Sequence, residues 1–152
     1  MSTPDLLRAF DDLVHLRDEV WNGVDVRLRR ECGVPGDWYR CLDSVASRDG
    51  SRVADVAADL AMTIGTAAAL VDRVVDADLV TRGPHPVDGR SSVLMLGETG
   101  ERLLHRCRTA IRREMHDGLA GCLTDAGLER FTAMLAHLRA NVPAVVAPAA
   151  AR

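Results

Sequence analysis

Arg52-Val-Ala-Asp-Val-Ala-Ala-Asp-Leu-Ala-Met-Thr-Ile-Gly-Thr-Ala-Ala-Ala-Leu-Val-Asp-Arg73 and, shortly after it, Leu79-Val-Thr-Arg-Gly-Pro-His-Pro-Val-Asp-Gly-Arg-Ser-Ser-Val-Leu-Met-Leu96 decide the fold. The first stretch reads as a short helix over Val53 to Leu60, a tight turn, and a second helix for which Thr63 is the N-cap. On that second helix Ala67, Leu70, Val71 and Val74 recur at helical spacing and form its inward face. The later stretch reads as two short strands, Leu79 to Thr81 and Ser92 to Leu96. Gly83, Pro84, Pro86 and Gly89 punctuate the loop between them. Helix, turn, helix and hairpin in this order make a winged helix-turn-helix, which places one helix in the DNA major groove.

Helices flank this centre. Towards the N-terminus, Leu6, Phe10, Leu13, Val20, Val24 and Leu28 follow a helical period, with Arg17 in the one gap. Thr3 is a suitable N-cap for this helix and Pro4 suits its first turn. Gly33 and Pro35 stop it. A helix of that length spans about 40 Å, too long to bury within one small domain, and so predicts contact with another subunit. Asp37 is placed to cap a second helix, Trp38 to Ser47. After the hairpin, a helix from about Glu98 carries Leu103, Leu104, Cys107, Ile111, Met115 and Leu119 on one side. Thr124 caps a last helix with Leu128, Phe131, Leu135 and Leu138. The expected fold class is mainly α with a small β-hairpin.

Composition narrows the function classes. The 152 residues suffice for one domain with a real core. No apolar run approaches the roughly 18 residues of a membrane span, and no signal peptide is evident, so the expected location is cytoplasmic. All 19 basic residues are arginine, whose planar fork suits phosphates and guanine edges. The net charge of −3 argues mildly against a nucleic-acid partner, although a dimer can combine acidic outer faces with a narrow basic strip. There is no phosphate loop, nucleophile elbow or paired metal-ligand spacing, so neither an enzyme, a cofactor nor a metal site is expected.

The chain resembles the MarR family, the multiple-antibiotic-resistance type of bacterial regulator. The matching residues are Val56-Ala-Ala-Asp-Leu60, Leu70-Val-Asp-Arg73, Leu79-Val-Thr-Arg82, Asp88-Gly-Arg-Ser91 and Leu96-Gly-Glu-Thr-Gly100. The resemblance covers about residues 5 to 141. It implies a homodimer whose terminal helices, residues 1–36 and 98–142, interlock the subunits. Residues 37–97 would form the winged module, and 143–152 a flexible tail. Two modules related by a two-fold axis would read a pseudo-palindromic double-stranded operator. Occupied promoter DNA would exclude polymerase, making the protein a repressor.

The DNA contacts then fall on a small set of residues. Arg90, exposed near the hairpin tip, suits the narrow minor groove, with Asp88 holding its guanidinium. Thr63, Ile64, Gly65 and Thr66 open the fourth helix; their hydroxyls and N–H groups suit phosphates, and Ile64 suits a thymine methyl. The resemblance brings Arg73 to the DNA backbone or a base; a salt bridge with Asp72 or Asp76 is the competing reading. Arg52 and Arg82 are lesser phosphate candidates. Two features depart from the family pattern. Ala67, Ala68 and Ala69 stand where many relatives carry polar or basic residues, so base readout is expected to be weak. Asp78 stands where relatives usually carry Gly. Between Arg48 and Arg90 there are 5 Arg and 7 Asp, a balance of −2. That acidity motivates an alternative in which the winged module binds a protein.

The resemblance also implies a small aromatic or anionic effector. Trp38, Tyr39 and Arg40 begin the second helix, and His15 and Trp21 lie on the first, so that an aromatic pair plus polar groups could line a pocket. His15, Trp38 and Tyr39 are the candidate lining residues, with core and interface packing as the competing reading of Trp38 and Tyr39. Cys32, Cys41, Cys107 and Cys122 form no CxxC pair and read as small core residues. A redox pair of Cys32 with Cys41 is the alternative.

Overall fold

The structure is a computed structural model that describes residues 5–84 and 92–141. Helices α1 (Leu6–Cys32), α2 (Gly36–Ala46), α3 (Val53–Leu60) and α4 (Ile64–Asp76) precede strands β1 (Val80–Pro84) and β2 (Ser92–Leu96). Helix α5 (Glu98–Met115) continues into a π-helical turn over His116–Ala120, and α6 (Asp125–Asn141) follows. The strands pair antiparallel from Val80↔Leu96 to Pro84↔Ser92. A bridge from Ser51 to Leu94 adds a third segment to the hairpin base, with the Leu94 N–H donating to the Ser51 carbonyl at 2.7 Å.

Local chemistry accounts for most boundaries. The Asp5 carboxylate accepts from the Arg8 N–H and caps α1, in place of the Thr3 expected. Asp5 lies three residues before the N–H it captures, the spacing that capping requires. At the other end Gly33 adopts φ 76°, the left-handed conformation that closes a helix most easily in glycine. Helix α2 starts one residue or two earlier than the sequence suggests. Its N-cap is Pro35, which offers no side-chain acceptor. Asp37 sits inside the first turn, and Asp25 of α1 does the capping: its Oδ1 accepts from the Gly36 N–H at 2.7 Å. Gly36 is required there, because a Cβ would fall 2.7 Å from the Trp21 ring.

The core gathers around α4. Leu28 of α1, Cys41 and Leu42 of α2, Val56 of α3, Ala67, Leu70, Val71 and Val74 of α4, Leu94 of β2 and Cys107 of α5 are almost fully buried. Gly100 joins α5 to this core at a close backbone approach. A Cβ on it would lie 2.0 Å from the Leu79 carbonyl oxygen. The Leu79 carbonyl also accepts from the Gly97 N–H at 3.0 Å.

Helices α1 and α5 pack antiparallel, with Gly23 against Glu114 and the Arg106 guanidinium donating to the Glu31 carbonyl. Arg27 ties them together. It pairs with Glu114 and donates to Asp117 at 2.8 Å, and these carboxylates hold its guanidinium more firmly protonated than usual. The four cysteines are free thiols: Cys41 and Cys107 are buried, Cys32 is half-buried and Cys122 is exposed. Along its whole length α1 buries only Val24 and Leu28, and α6 buries nothing.

Candidate nucleic-acid interface

Helix α4 is anchored by one face and free on the other. Ala61 closes α3 in the left-handed conformation, and α4 departs at 111° to it. Thr63 caps α4 as its sequence position indicates. Its Oγ1 accepts from the Thr66 N–H at 3.2 Å and lies 2.9 Å from the Thr66 hydroxyl. Thr63, Ile64, Gly65 and Thr66 are all exposed, so the capped turn projects from the molecule. Ile64 leaves 64% of its surface open, a large apolar group with no intramolecular role. A Cβ at Gly65 would meet nothing within 4 Å, so no contact inside the protein demands glycine there.

The remaining outer face holds Ala69, Asp72, Arg73 and Asp76. Arg73 makes no ion pair with Asp72 or Asp76; its Nε donates to the Ala69 carbonyl at 3.4 Å and its side chain stays exposed. Asp72 turns instead to the wing, accepting from Arg82 of β1 at 2.6 Å. That pair fastens the outer face of α4 to the hairpin and engages Arg82 within the protein. Arg52 is exposed at the start of α3, where its backbone N–H donates to Asp55 at 2.8 Å. Asp88 and Arg90, between Pro84 and Ser92, lie outside the described residues, as does the side chain of Leu119.

A cluster the sequence reading did not single out braces the module from behind. The Ser44 hydroxyl donates to Asp59 at 2.6 Å, and Arg48 donates to both Asp59 oxygens at 2.9 and 2.8 Å. Burial works against the charged carboxylate, but the Arg48 and Ser44 hydrogen bonds outweigh it and hold Asp59 below the usual carboxylate range. Helices α2 and α3 are locked together at this point. A polar residue within the last turn of each helix was the only available signal.

The same region forms a cleft of about 460 Å³ lined by Trp21, Tyr39, Arg40, Asp43, Arg48 and Arg139, among others. Arg40 lies over the Trp21 ring at 5.6 Å. Burial, helped by Asp43, pushes the Tyr39 hydroxyl pKa up, keeping it a neutral donor. Tyr39 is thus where a cleft residue was expected, but Trp38 and His15 are not. Trp38 is half-buried against the core. Trp38 does not line this cleft, whereas Tyr39 and Arg40 do. His15 stands exposed on the unpacked half of α1 and lines none of the described cavities. Trp21 supplies the second aromatic.

Residues 33–91, from just after α1 to just before β2, match the sequence model of the MarR family. This segment is similar to that family's winged module. No curated protein matches the chain in sequence. Solved structures of MarR-family transcriptional regulators share the whole fold. Sco3205 from Streptomyces coelicolor, solved in complex with DNA, is 17% identical at a TM-score of 0.77, over 97% of this chain and 94% of its own. CouR from Rhodococcus jostii RHA1, bound to p-coumaroyl-CoA, is 21% identical at a TM-score of 0.72, over 88% and 92%. A mutant MarR from E. coli, complexed with operator DNA, is 20% identical at a TM-score of 0.69, over 88% and 98%. The likeness in fold therefore extends past the matched segment to the flanking helices.

Proposed function

We propose that the protein is a dimeric transcriptional regulator that binds a pseudo-palindromic DNA operator and acts as a repressor. The single observation that carries this reading is the free first turn of α4. Thr63 to Thr66 projects from a rigid module with an unpartnered Ile64 and an open Gly65. An apolar side chain beside a thymine methyl and a glycine beside a phosphate are what the major groove accepts. Arg73 is free to reach the backbone, and Arg90 with Asp88 supplies the wing contact in the minor groove. The DNA complexes of Sco3205 and E. coli MarR support the same docking.

The apolar face left by α1 and α6 supports a homodimer, which sets two α4 helices at the half-site spacing of one helical turn. The Trp21–Tyr39 cleft is the proposed site for a small aromatic or anionic effector. Its arginines suit an anion, and the p-coumaroyl-CoA held by CouR has both characters. The protein is proposed to act in the cytoplasm, where its DNA lies; no single described helix is long and apolar enough to cross a membrane.

A polarisation titration of the full chain against the DNA upstream of its own gene tests the reading. Specific, salt-sensitive binding is expected. Arg73→Ala should weaken it on all sequences and reduce the salt slope by about 1, as loss of one phosphate contact does. Absence of salt-sensitive binding, with no effect of Arg90→Ala, would establish instead that the acidic outer face of α4 meets a protein.

A further inference from the structure

A second cavity, of about 360 Å³, opens where the end of α1 lies against α5. Its inner wall holds Ala110, which is buried, and Cys32, which is half-buried. His105, Arg106 and Arg113 stand exposed around it. Residues 105, 106, 109 and 113 share one side of α5, because helical positions three and four apart are neighbours. Arg106 is held in place there. Its Nη2 donates to the Glu31 carbonyl at 2.9 Å, which spends only part of its donor fork. The Thr109 hydroxyl donates to the His105 carbonyl at 3.0 Å, so the guanidiniums are the main donors left to the cavity.

Glu31 is the one carboxylate in the lining among the described residues, and its charge is already shared. Arg30 lies 3.2 Å and Arg27 3.5 Å from its Oε1, whereas Arg113 stands 3.7 Å from its Oε2, beyond hydrogen-bonding distance. Glu114 and Asp117, at the same end of α5, are engaged by Arg27. Arg106 and Arg113 therefore face the cavity with positive charge in excess.

We propose that this cavity binds a phosphoryl group, carried by a small phosphate ester or by a nucleic-acid backbone. Arg106 and Arg113 sit seven residues apart and approach the space from separate points. A phosphoryl group presents three acceptor oxygens and can take both guanidinium forks, whereas a carboxylate fills one. The volume falls at the lower end of the roughly 300–1,000 Å³ that holds small ligands, and the Ala110–Cys32 wall suits a short carbon skeleton. The site shares no lining residue with the Trp21–Tyr39 cleft. An occupant lies against the last turn of α1, where the chain passes into the winged module.

The test is isothermal titration of the full chain with ribose 5-phosphate, with ribose and acetate as controls. Saturable binding of ribose 5-phosphate is expected, and none of ribose or acetate at the same concentrations. Arg106→Ala and Arg113→Ala should each weaken it about tenfold or more, as loss of a charge-assisted contact does. Glu31→Gln removes the opposing charge and should tighten binding severalfold, a gain that a misfolded variant does not give. Arg112→Ala, outside the cavity, should bind as the parent does. A polarisation titration with a labelled duplex separates the two sources. Duplex affinity that falls in Arg113→Ala identifies a backbone phosphate; duplex affinity unchanged or absent identifies a small ester. No saturable binding of ribose 5-phosphate, equal binding of acetate, or indifference to both arginine substitutions overturns the proposal. Calorimetry reads the phosphate itself, so the result stands or falls independently of DNA binding.

Discussion

Helices α4 and α6 carry similar numbers of apolar residues and use them in opposite ways. Over its 13 residues α4 buries Ala67, Leu70, Val71 and Val74. Over its 17 residues α6 buries none; Leu128 and Phe131 are half-buried, and Met134, Leu135 and Leu138 are exposed. The first half of α1 matches α6, with Leu6, Leu7, Phe10 and Leu13 each more than half exposed. One chain closes its core around the winged module only. Contiguous apolar surface of the kind left on α1 and α6 marks an interface, whereas scattered exposed leucines do not. The module is therefore the part that the single chain covers by itself, and the terminal helices carry the face that the proposed dimer would cover.

Substitutions on each side should break this comparison in different assays. Phe10→Asp with Leu135→Asp puts charge in the proposed interface and is expected to weaken dimerisation about a thousandfold or more, roughly 4 kcal/mol. Unchanged sedimentation at micromolar concentration would remove the α1–α6 face from the dimer. Within the module, Leu70→Ala should cost about 3 kcal/mol in urea unfolding, since Leu70 is 2% exposed. Its effect should be the same at low and high protein concentration once the dimer is disrupted. Gly100→Ala forces a Cβ against the Leu79 carbonyl and should cost about 2–3 kcal/mol. A wild-type melting temperature for that variant would contradict the backbone contact.

Smaller effects sharpen the picture. Ala61 holds φ 55° at the end of α3, a conformation that disfavours a Cβ. Ala61→Gly should therefore raise stability by about 1 kcal/mol, read as a higher urea midpoint. The least effect is pH-dependent. The folded-state pKa of Asp59 is depressed, so its contribution is fully present above the unfolded value and is lost as pH falls through the lower folded one. The stability gap between the parent and Asp59→Asn should accordingly shrink from neutral pH to about pH 3. A gap that widened on acidification would mean that Arg48 and Ser44 do not stabilise the carboxylate.

Features set by neighbours in sequence were legible before the structure. Thr63 caps α4, Gly33 ends α1, and the inward stripe of α4 is the one its period indicates. Asp78, standing where relatives usually carry Gly, indeed adopts φ 58°. Features set by distant residues were not legible. Nothing near Gly36 reveals that Asp25, a full helix end away, supplies its cap. The sequence offered Trp21, Trp38 and Tyr39 together, and only the packing of α1 on α2 selects Trp21 and Tyr39 for the cleft. The outer face of α4 was legible as poor in base-reading groups, and its Asp72–Arg82 link to the wing emerged only in three dimensions.

The contact at Gly100 has a mechanical consequence. Side chains between two elements act as springs, because rotamers change before backbones move. Between the first turn of α5 and Leu79, the residue that leads into β1, there is no such spring, only backbone against backbone. A rotation of α5 about that turn must therefore displace the hairpin by a similar distance, without slack. The helix that leaves the module is a rigid lever for the wing, and its stiffness comes from a side chain that is missing.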